Sequence, residues 1–181
     1  MRTQRLTLLA FLVLGACGPS ATSSSTPLGL PAYTATSAAL FDDTMASEIF
    51  DMPSAEQTPA QRQRQLYGRV SEADVIVQVR VSTVTRDGTG EDVRYTLSLS
   101  AVATPLRGEV DAPIEVVVGP TSPSFALVRS EDTRLVGRQL LLLLKRFDES
   151  GTRTNHFRGE AATPANVAQI RKLMALDELN E

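Results

Sequence analysis

The sequence predicts a mainly β domain with flanking helices, whose strands form a small, partly closed antiparallel barrel. Apolar residues alternate with polar ones over 75–82 and again over 93–101, and this period of two indicates half-buried strands. The turn sequence Asp87-Gly88-Thr89-Gly90 between them favours a hairpin. The five consecutive leucines of residues 140–144 indicate a strand that is buried on both faces.

Residues 1–16 are predicted to be a signal peptide. Arg2 and Arg5 make its start basic, and residues 6–14 form an apolar run of nine residues. A membrane-spanning helix needs about 20 apolar residues, so this run is too short to remain as an anchor. Small residues at positions 15 and 16 precede Cys17, the only cysteine of the chain.

The motif Leu14-Gly15-Ala16-Cys17 resembles the processing site of bacterial lipoproteins. The resemblance implies cleavage before Cys17, a diacylglycerol on its thiol and acylation of the freed amine, so Cys17 is the predicted lipid attachment site. Two or three acyl chains anchor a protein stably, and Gly18 favours the outer membrane, on its periplasmic or surface face. The alternatives are a plain cleaved signal, or a buried thiol in a helix that Gly18-Pro19-Ser20 would end.

Charge and composition narrow the expected partners. Removal of Arg2 and Arg5 leaves 16 basic against 21 acidic residues, a net charge of −5. No basic stripe is present, so nucleic acid is not an expected partner. The expected partners are the membrane, through the lipid, and another envelope protein. With the only cysteine consumed by lipid, the fold must be stabilised by its apolar core.

Two segments precede the domain in this interpretation. Residues 17–38 are rich in Ser, Thr, Ala and Pro and almost uncharged, so they are predicted to be a flexible tether. Residues 39–57 carry apolar side chains at 40, 41, 45, 49, 50 and 52. This pattern fits a docking segment or short amphipathic helix packed on the domain, or a linear motif that binds a partner.

Residues 58–179 are predicted to form the domain, with a helix at each end. Thr58-Pro59-Ala60-Gln61 is a capping sequence, and its helix should run to about residue 70. After the first hairpin, residues 114–118 form a third strand, and residues 125–128 are assigned a short strand of their own. The leucine run is the central strand, and residues 152–157 form the last strand. A final helix begins at Thr163-Pro164 and should end near residue 176, because acidic residues follow.

Five or six antiparallel strands with two helices suggest an OB-like barrel. The order of residues 73–77, Tyr95-Thr96-Leu97, Leu106-Arg107-Gly108 and then Gly137 with residues 140–144 is similar to the netrin/metalloprotease-inhibitor-like OB barrels of exported bacterial proteins. This resemblance covers about residues 66–160. The inhibitor activity of the animal domains is not implied, because their cysteine framework is absent and Cys17 would be lipidated.

No catalytic, metal or cofactor site is predicted. His156 is the only histidine and no Gly-x-Ser-x-Gly motif is present, so a surface or structurally hydrogen-bonded His156 is expected. Lys145 and Lys172 have ordinary placements beside a strand and on a polar helix face. The pairs Asp42-Asp43 and Glu131-Asp132 are interpreted as solvated acidic surface. Two hypotheses follow: a lipid-anchored binding or scaffold module of an outer-membrane assembly, or a small envelope hydrolase or protease-inhibitor-like protein.

Overall fold

A computed structural model describes residues 29–53, 58–110 and 112–179. In these residues a six-stranded mixed sheet is accompanied by four α-helices. The elements in chain order are α1 Ala35–Ala38, β1 Thr44–Met45, a 3-10 helix Ser47–Phe50, α2 Pro59–Glu72, β2 Val75–Asp87, β3 Arg94–Ala101, β4 Ile114–Val118, α3 Phe125–Leu135, β5 Gln139–Glu149, β6 Thr152–Ala161 and α4 Pro164–Glu178, with a further 3-10 turn at Gly90–Asp92.

The sheet has the strand order β1-β6-β5-β2-β3-β4, and all its pairs are antiparallel except β1 with β6. The prediction of a mainly β fold with flanking helices is confirmed. The sheet does not close into a barrel, however, because β4 pairs only with β3 among the described strands. A physical reason lies in β1, which pairs with β6 on one side. On its other side, Ser124 Oγ of the loop after β4 accepts from the Met45 N–H at 3.3 Å.

The leucine run is buried on both faces, as predicted. Leu140, Leu142 and Leu144 pack in one core with the inward residues of β2 and β3, together with part of α3 and the 3-10 helix after β1. Leu141 and Leu143 pack on the opposite face of the sheet in a second core. That core is completed by residues of α2 and α4, among them Leu66, Val70, Ile170 and Leu173.

Three predicted elements differ from the structure. Residues 125–128 begin the helix α3 instead of forming a strand, because Phe125 and Val128 are three positions apart and so share one helical face. The helix α2 has the predicted capping box at Thr58 but continues to Glu72. The helix α4 continues to Glu178, since Asp177 forms an ion pair with Arg107 at 3.0 Å that offsets the unfavourable position of an acidic residue.

The segment before α2 packs on the domain. Ala32 forms a parallel bridge with Asp148, so the tether predicted for residues 17–38 does not extend to residue 38. Residues 17–28 lie outside the described residues, as do 54–57. Residues 39–53 form β1 and a single 3-10 helix instead of an amphipathic helix, and they bury Phe41, Met45 and Ile49 in the two cores. These side chains face their own domain, so the interpretation of residues 39–53 as a docking segment fits the structure.

None of the described helices is both long and apolar enough to cross a membrane.

Candidate functional site

The residue to which the sequence analysis assigned a chemical role, Cys17, lies outside the described residues. The structure instead places polar clusters around the adjacent residues Asp42 and Asp43. Their side chains are 29% and 24% exposed, and Asp42 lies near Arg158 whereas Asp43 contacts His156. The prediction that Asp42 and Asp43 form solvated acidic surface is therefore wrong.

A cleft of about 360 Å³ lies between the segment 42–48, the helices α2 and α4, the start of α3 and the end of β6. We refer to it as the cleft. Charged, polar and apolar side chains all line it, and they are Asp42, Thr44, Met45, Ala46, Ser47, Glu48, Arg62, Leu66, Arg69, Pro123, Leu127, Arg158, Glu160, Asn166, Gln169 and Ile170.

Arg69 of α2 forms the most buried charged part of the cleft, with 7% of its side chain exposed. Its Nε donates to the backbone oxygen of Leu40 at 3.0 Å, Nη1 donates to Glu160 Oε1 at 3.2 Å and Nη2 donates to Gln65 Oε1 at 3.4 Å. Glu160 Oε1 also accepts from Arg158 Nε at 3.2 Å, so two guanidinium groups share one carboxylate. Burial and then the charge of Arg158 lower the pKa of Arg69, and the Glu160 carboxylate opposes this shift.

The ion pairs continue outward from Arg158 to Asp42, whose Oδ1 lies 3.5 Å from Nη1. This buried oxygen has no hydrogen-bond partner among the described residues. At the rim, Arg62 lies 3.7 Å from Glu48, and the two side chains are 52% and 38% exposed. Exposed ion pairs of this kind contribute at most about 1 kcal/mol, so a ligand can separate the outer pair at small cost. The inner pairs hold the wall of the cleft in place.

The second cluster is centred on His156 of β6. Its Nδ1 lies 2.8 Å from Asp43 Oδ2. The ring of Tyr33 stacks on the imidazole, with centroids 3.7 Å apart and planes inclined by 1°. On the far side of the ring, the buried Nε2 lies 3.7 Å from Glu149 Oε1, beyond hydrogen-bond distance.

These contacts change the titration of both rings. Burial alone would lower the pKa of His156, but the hydrogen bond and charge of Asp43 and the charge of Glu149 outweigh burial and raise it. Burial and then the charges of nearby carboxylates raise the pKa of Tyr33 to about 12. Tyr33 therefore keeps its proton at physiological pH, and its hydroxyl donates to the backbone oxygen of Phe41 at 2.7 Å.

The His156 cluster contains two of the three groups of a Ser-His-Asp triad, and no described serine completes it. Ser122 Oγ and Ser124 Oγ lie 2.7 Å and 3.5 Å from the backbone oxygen of Asp43 and donate there instead of facing His156. A carboxylate lies beside each ring nitrogen, Asp43 beside Nδ1 and Glu149 beside Nε2. His156 is thus structurally hydrogen-bonded, as predicted, and it joins segments of the chain that are distant in sequence.

Of the other residues considered from the sequence, Lys145 and Glu131 have charged partners in the structure. Lys145 Nζ lies 3.3 Å from Asp74 Oδ1, and Arg134 donates to Glu131 at 2.6 Å. Lys172 is exposed on α4. Within the described ranges, no group of three or more His, Cys, Asp or Glu side chains could hold a metal ion.

The cleft is not evident from the sequence, because its charged residues come from separate elements and form no local motif. One signal was available in α2. Arg69 occupies the same helical face as Leu66 and lies next to Val70, so an arginine stands in the apolar register of the helix. A charged side chain at such a position requires a buried partner.

Comparisons with family models, with curated proteins and with solved structures find no match to this chain.

Proposed function

We propose that this protein is a lipid-anchored binding module of the bacterial envelope, and that a protein partner binds in its cleft. Anchoring is supported by the sequence, in which the motif at residues 14–17 follows a basic start and a short apolar run. Lipid on Cys17 would hold the domain at the outer membrane. In the cell, the module would act as a scaffold in an outer-membrane-associated protein assembly.

The observation that carries the binding role is the mixed lining of the cleft. Binding sites are typically concave spaces of about 300–1,000 Å³, largely apolar, with a few fixed polar groups. Here Leu66, Leu127 and Met45 offer an apolar wall, and Asn166 and Gln169 offer side-chain amides. A partner segment with one apolar side chain and flanking polar groups matches this lining, because its apolar surface would leave water while its polar groups find donors and acceptors.

We also propose that the domain is an OB-type domain left open between β4 and β6. Two features support this. The strands β2 to β6 follow the order β6-β5-β2-β3-β4, in which a three-stranded meander precedes a hairpin. The helix α3 connects β4 to β5 and packs Val128 and Leu135 in the core of the curved sheet. Partly open barrels of this type commonly bind other molecules on an exposed face.

The test is a photoreactive amino acid placed at position 169, in the cleft, in the full-length protein in living cells. The matched control is position 172 on the same helix, where Lys172 is exposed and outside the cleft. We expect a discrete protein adduct from position 169 and none of that mass from position 172. Equal adducts from both positions would contradict the proposal.

A second measurement fills the cleft. Gln169→Trp should impair complementation, whereas Lys172→Trp at matched abundance should leave it intact. Full complementation by Gln169→Trp would show that the partner does not bind in the cleft. Hydrolysis of an envelope substrate by the purified protein, or inhibition of an envelope protease, would favour the alternative function instead.

A further inference from the structure

The residues that connect the N-terminal region to the domain form a loosely packed segment. We call residues 31–39 the strap. Its backbone meets the sheet at one bridge, where Ala32 pairs with Asp148 and the Asp148 N–H donates to the backbone oxygen of Pro31 at 2.9 Å. The helix α1 within the strap buries none of its residues. The first fully buried side chain among the described residues is that of Phe41, two positions after the strap.

The strap is fixed at its beginning mainly by Tyr33. This ring lies against His156 at 3.7 Å and meets Phe147 edge-on at 5.0 Å between centroids. Its hydroxyl bonds to Phe41, so the tyrosine closes the strap into a loop. Between these two points a cavity of about 210 Å³ separates the strap from the sheet, lined among others by Leu40 and Lys145.

Local opening needs little free energy where few apolar side chains are buried and where a cavity replaces packing. The strap meets both conditions, and the segment that follows it does not. Phe41 is buried in one core. Met45 is buried in the other core, and it belongs to β1, which pairs with β6. Leu40 packs against a core, and its backbone oxygen accepts from Arg69 Nε at 3.0 Å. An opening that begins at Ala32 should therefore stop at Leu40.

We propose that the strap is a releasable section of the membrane tether, held on the domain by Tyr33 and detached as a unit while the cores stay folded. The inference about reach rests on the proposed lipid at Cys17. With the strap docked, residues 18–30 connect lipid and domain, and a fully extended chain of that length spans at most about 45 Å. Release moves the attachment point to Leu40, and the maximum span becomes about 75 Å. The domain would thus have two different maximum distances from the same lipid anchor, one with the strap docked and one with it released.

Release of the strap would affect which partners the cleft can bind. The described residues that line the cleft begin at Asp42, and Leu40, to which Arg69 of the cleft is bonded, stays with the domain when the strap is released. Release of the strap therefore changes how far the cleft can travel without dismantling it. A partner beyond the shorter span becomes accessible only in the released form.

The experiment measures hydrogen–deuterium exchange in the full-length mature protein in detergent, with acylation checked by mass spectrometry of the same sample. Tyr33→Ala should speed exchange of the strap amides by at least tenfold, while the amides of β2 and β5 exchange as in the wild type. Tyr67→Ala is the matched control, because Tyr67 is an exposed tyrosine on α2. It should change neither region.

Two outcomes would overturn detachment as a unit: unchanged strap exchange in Tyr33→Ala, or equal acceleration in the strap and the cores. Reach is read in vesicles, as energy transfer from a dye at position 172 to labelled lipid, which should fall in Tyr33→Ala and stay constant in Tyr67→Ala. Constant transfer with a detached strap would overturn the claim about reach. A sample without acyl chains would refute the proposed function and the reach, while the exchange data still decide whether the strap detaches.

Discussion

Replacement of Arg69 by Met should destabilise the domain substantially, because the wall of the cleft depends on this guanidinium. Met keeps the apolar stem of the side chain and removes its three hydrogen bonds, to Leu40, Glu160 and Gln65. Hydrogen bonds from charged donors contribute about 1.5–3 kcal/mol each, and breaking a buried ion pair costs about 3–5 kcal/mol.

The expected loss lies at the lower end of these figures. Glu160 keeps its bond to Arg158 after the change, and the bond to Gln65 is long at 3.4 Å. We therefore expect the free energy of unfolding to fall by about 2–4 kcal/mol. For a domain of this size, this corresponds to a decrease in Tm of about 5–15 °C.

The assay is urea and thermal unfolding of the mature protein followed by circular dichroism. Arg64→Met is the matched control on the same helix, since Arg64 is exposed, and it should change the free energy of unfolding by less than about 0.5 kcal/mol. A double-mutant cycle with Glu160→Gln should give a coupling of about 0.5–3 kcal/mol. An Arg69→Met protein as stable as Arg64→Met would refute the reasoning that the inner ion pairs hold the cleft.

Three further predictions concern the anchor, the core and the histidine. Cys17→Ser should abolish lipid labelling and leave precursor or a soluble form, and wild-type protein without an acyl mass would contradict the anchor. Leu142→Asp should unfold the domain because a charge would enter a fully buried site, whereas Arg64→Asp should cost less than about 0.5 kcal/mol in denaturant titrations; equal tolerance would contradict the buried strand. The raised pKa of His156 means that the folded state binds more protons, so its contribution is complete below about pH 6.5 and is lost as pH rises through the folded pKa. The free energy of unfolding should fall over that window, and His156→Asn should flatten the slope; an unchanged slope would show that another group titrates.

The sequence was sufficient for the elements whose signals are local. Alternation over 75–82, the hairpin glycine at position 88 and the capping box at Thr58 each depend on neighbours within a few positions, and each predicted the observed element. The burial of the leucine run was also predictable from the run itself, because five consecutive apolar residues leave no polar face for contact with water. The predictions failed where the partner of a residue lies far away in sequence.

Asp42-Asp43 illustrates that failure. An acidic pair without a motif is most simply assigned to the surface, and only the fold shows Arg158 and His156 opposite it, more than one hundred positions later. The open edge of the sheet has the same origin. The predicted number and order of strands suggested a closed barrel, but the short strand β1 pairs with β6. A strand of two residues is too short to show the alternation from which a strand is predicted. The cleft was missed for both reasons, since its walls come from the segment around β1, from α2, from the start of α3, from β6 and from α4.

The pairing of β1 with β6 also determines when the chain can fold. Thr44 lies opposite Arg158 and Met45 opposite Gly159, so one of the first described segments has its partner in the last strand. Contacts between such distant positions form slowly, because the whole intervening chain must be closed into a loop. During synthesis β1 has no strand partner until β6 is available. A chain that ends before residue 152 leaves β1 unpaired and the two cores without Phe157, Ala161, Ile170 and Leu173, and apolar segments exposed in this way aggregate. Folding of this protein is complete only after its final hairpin has been made.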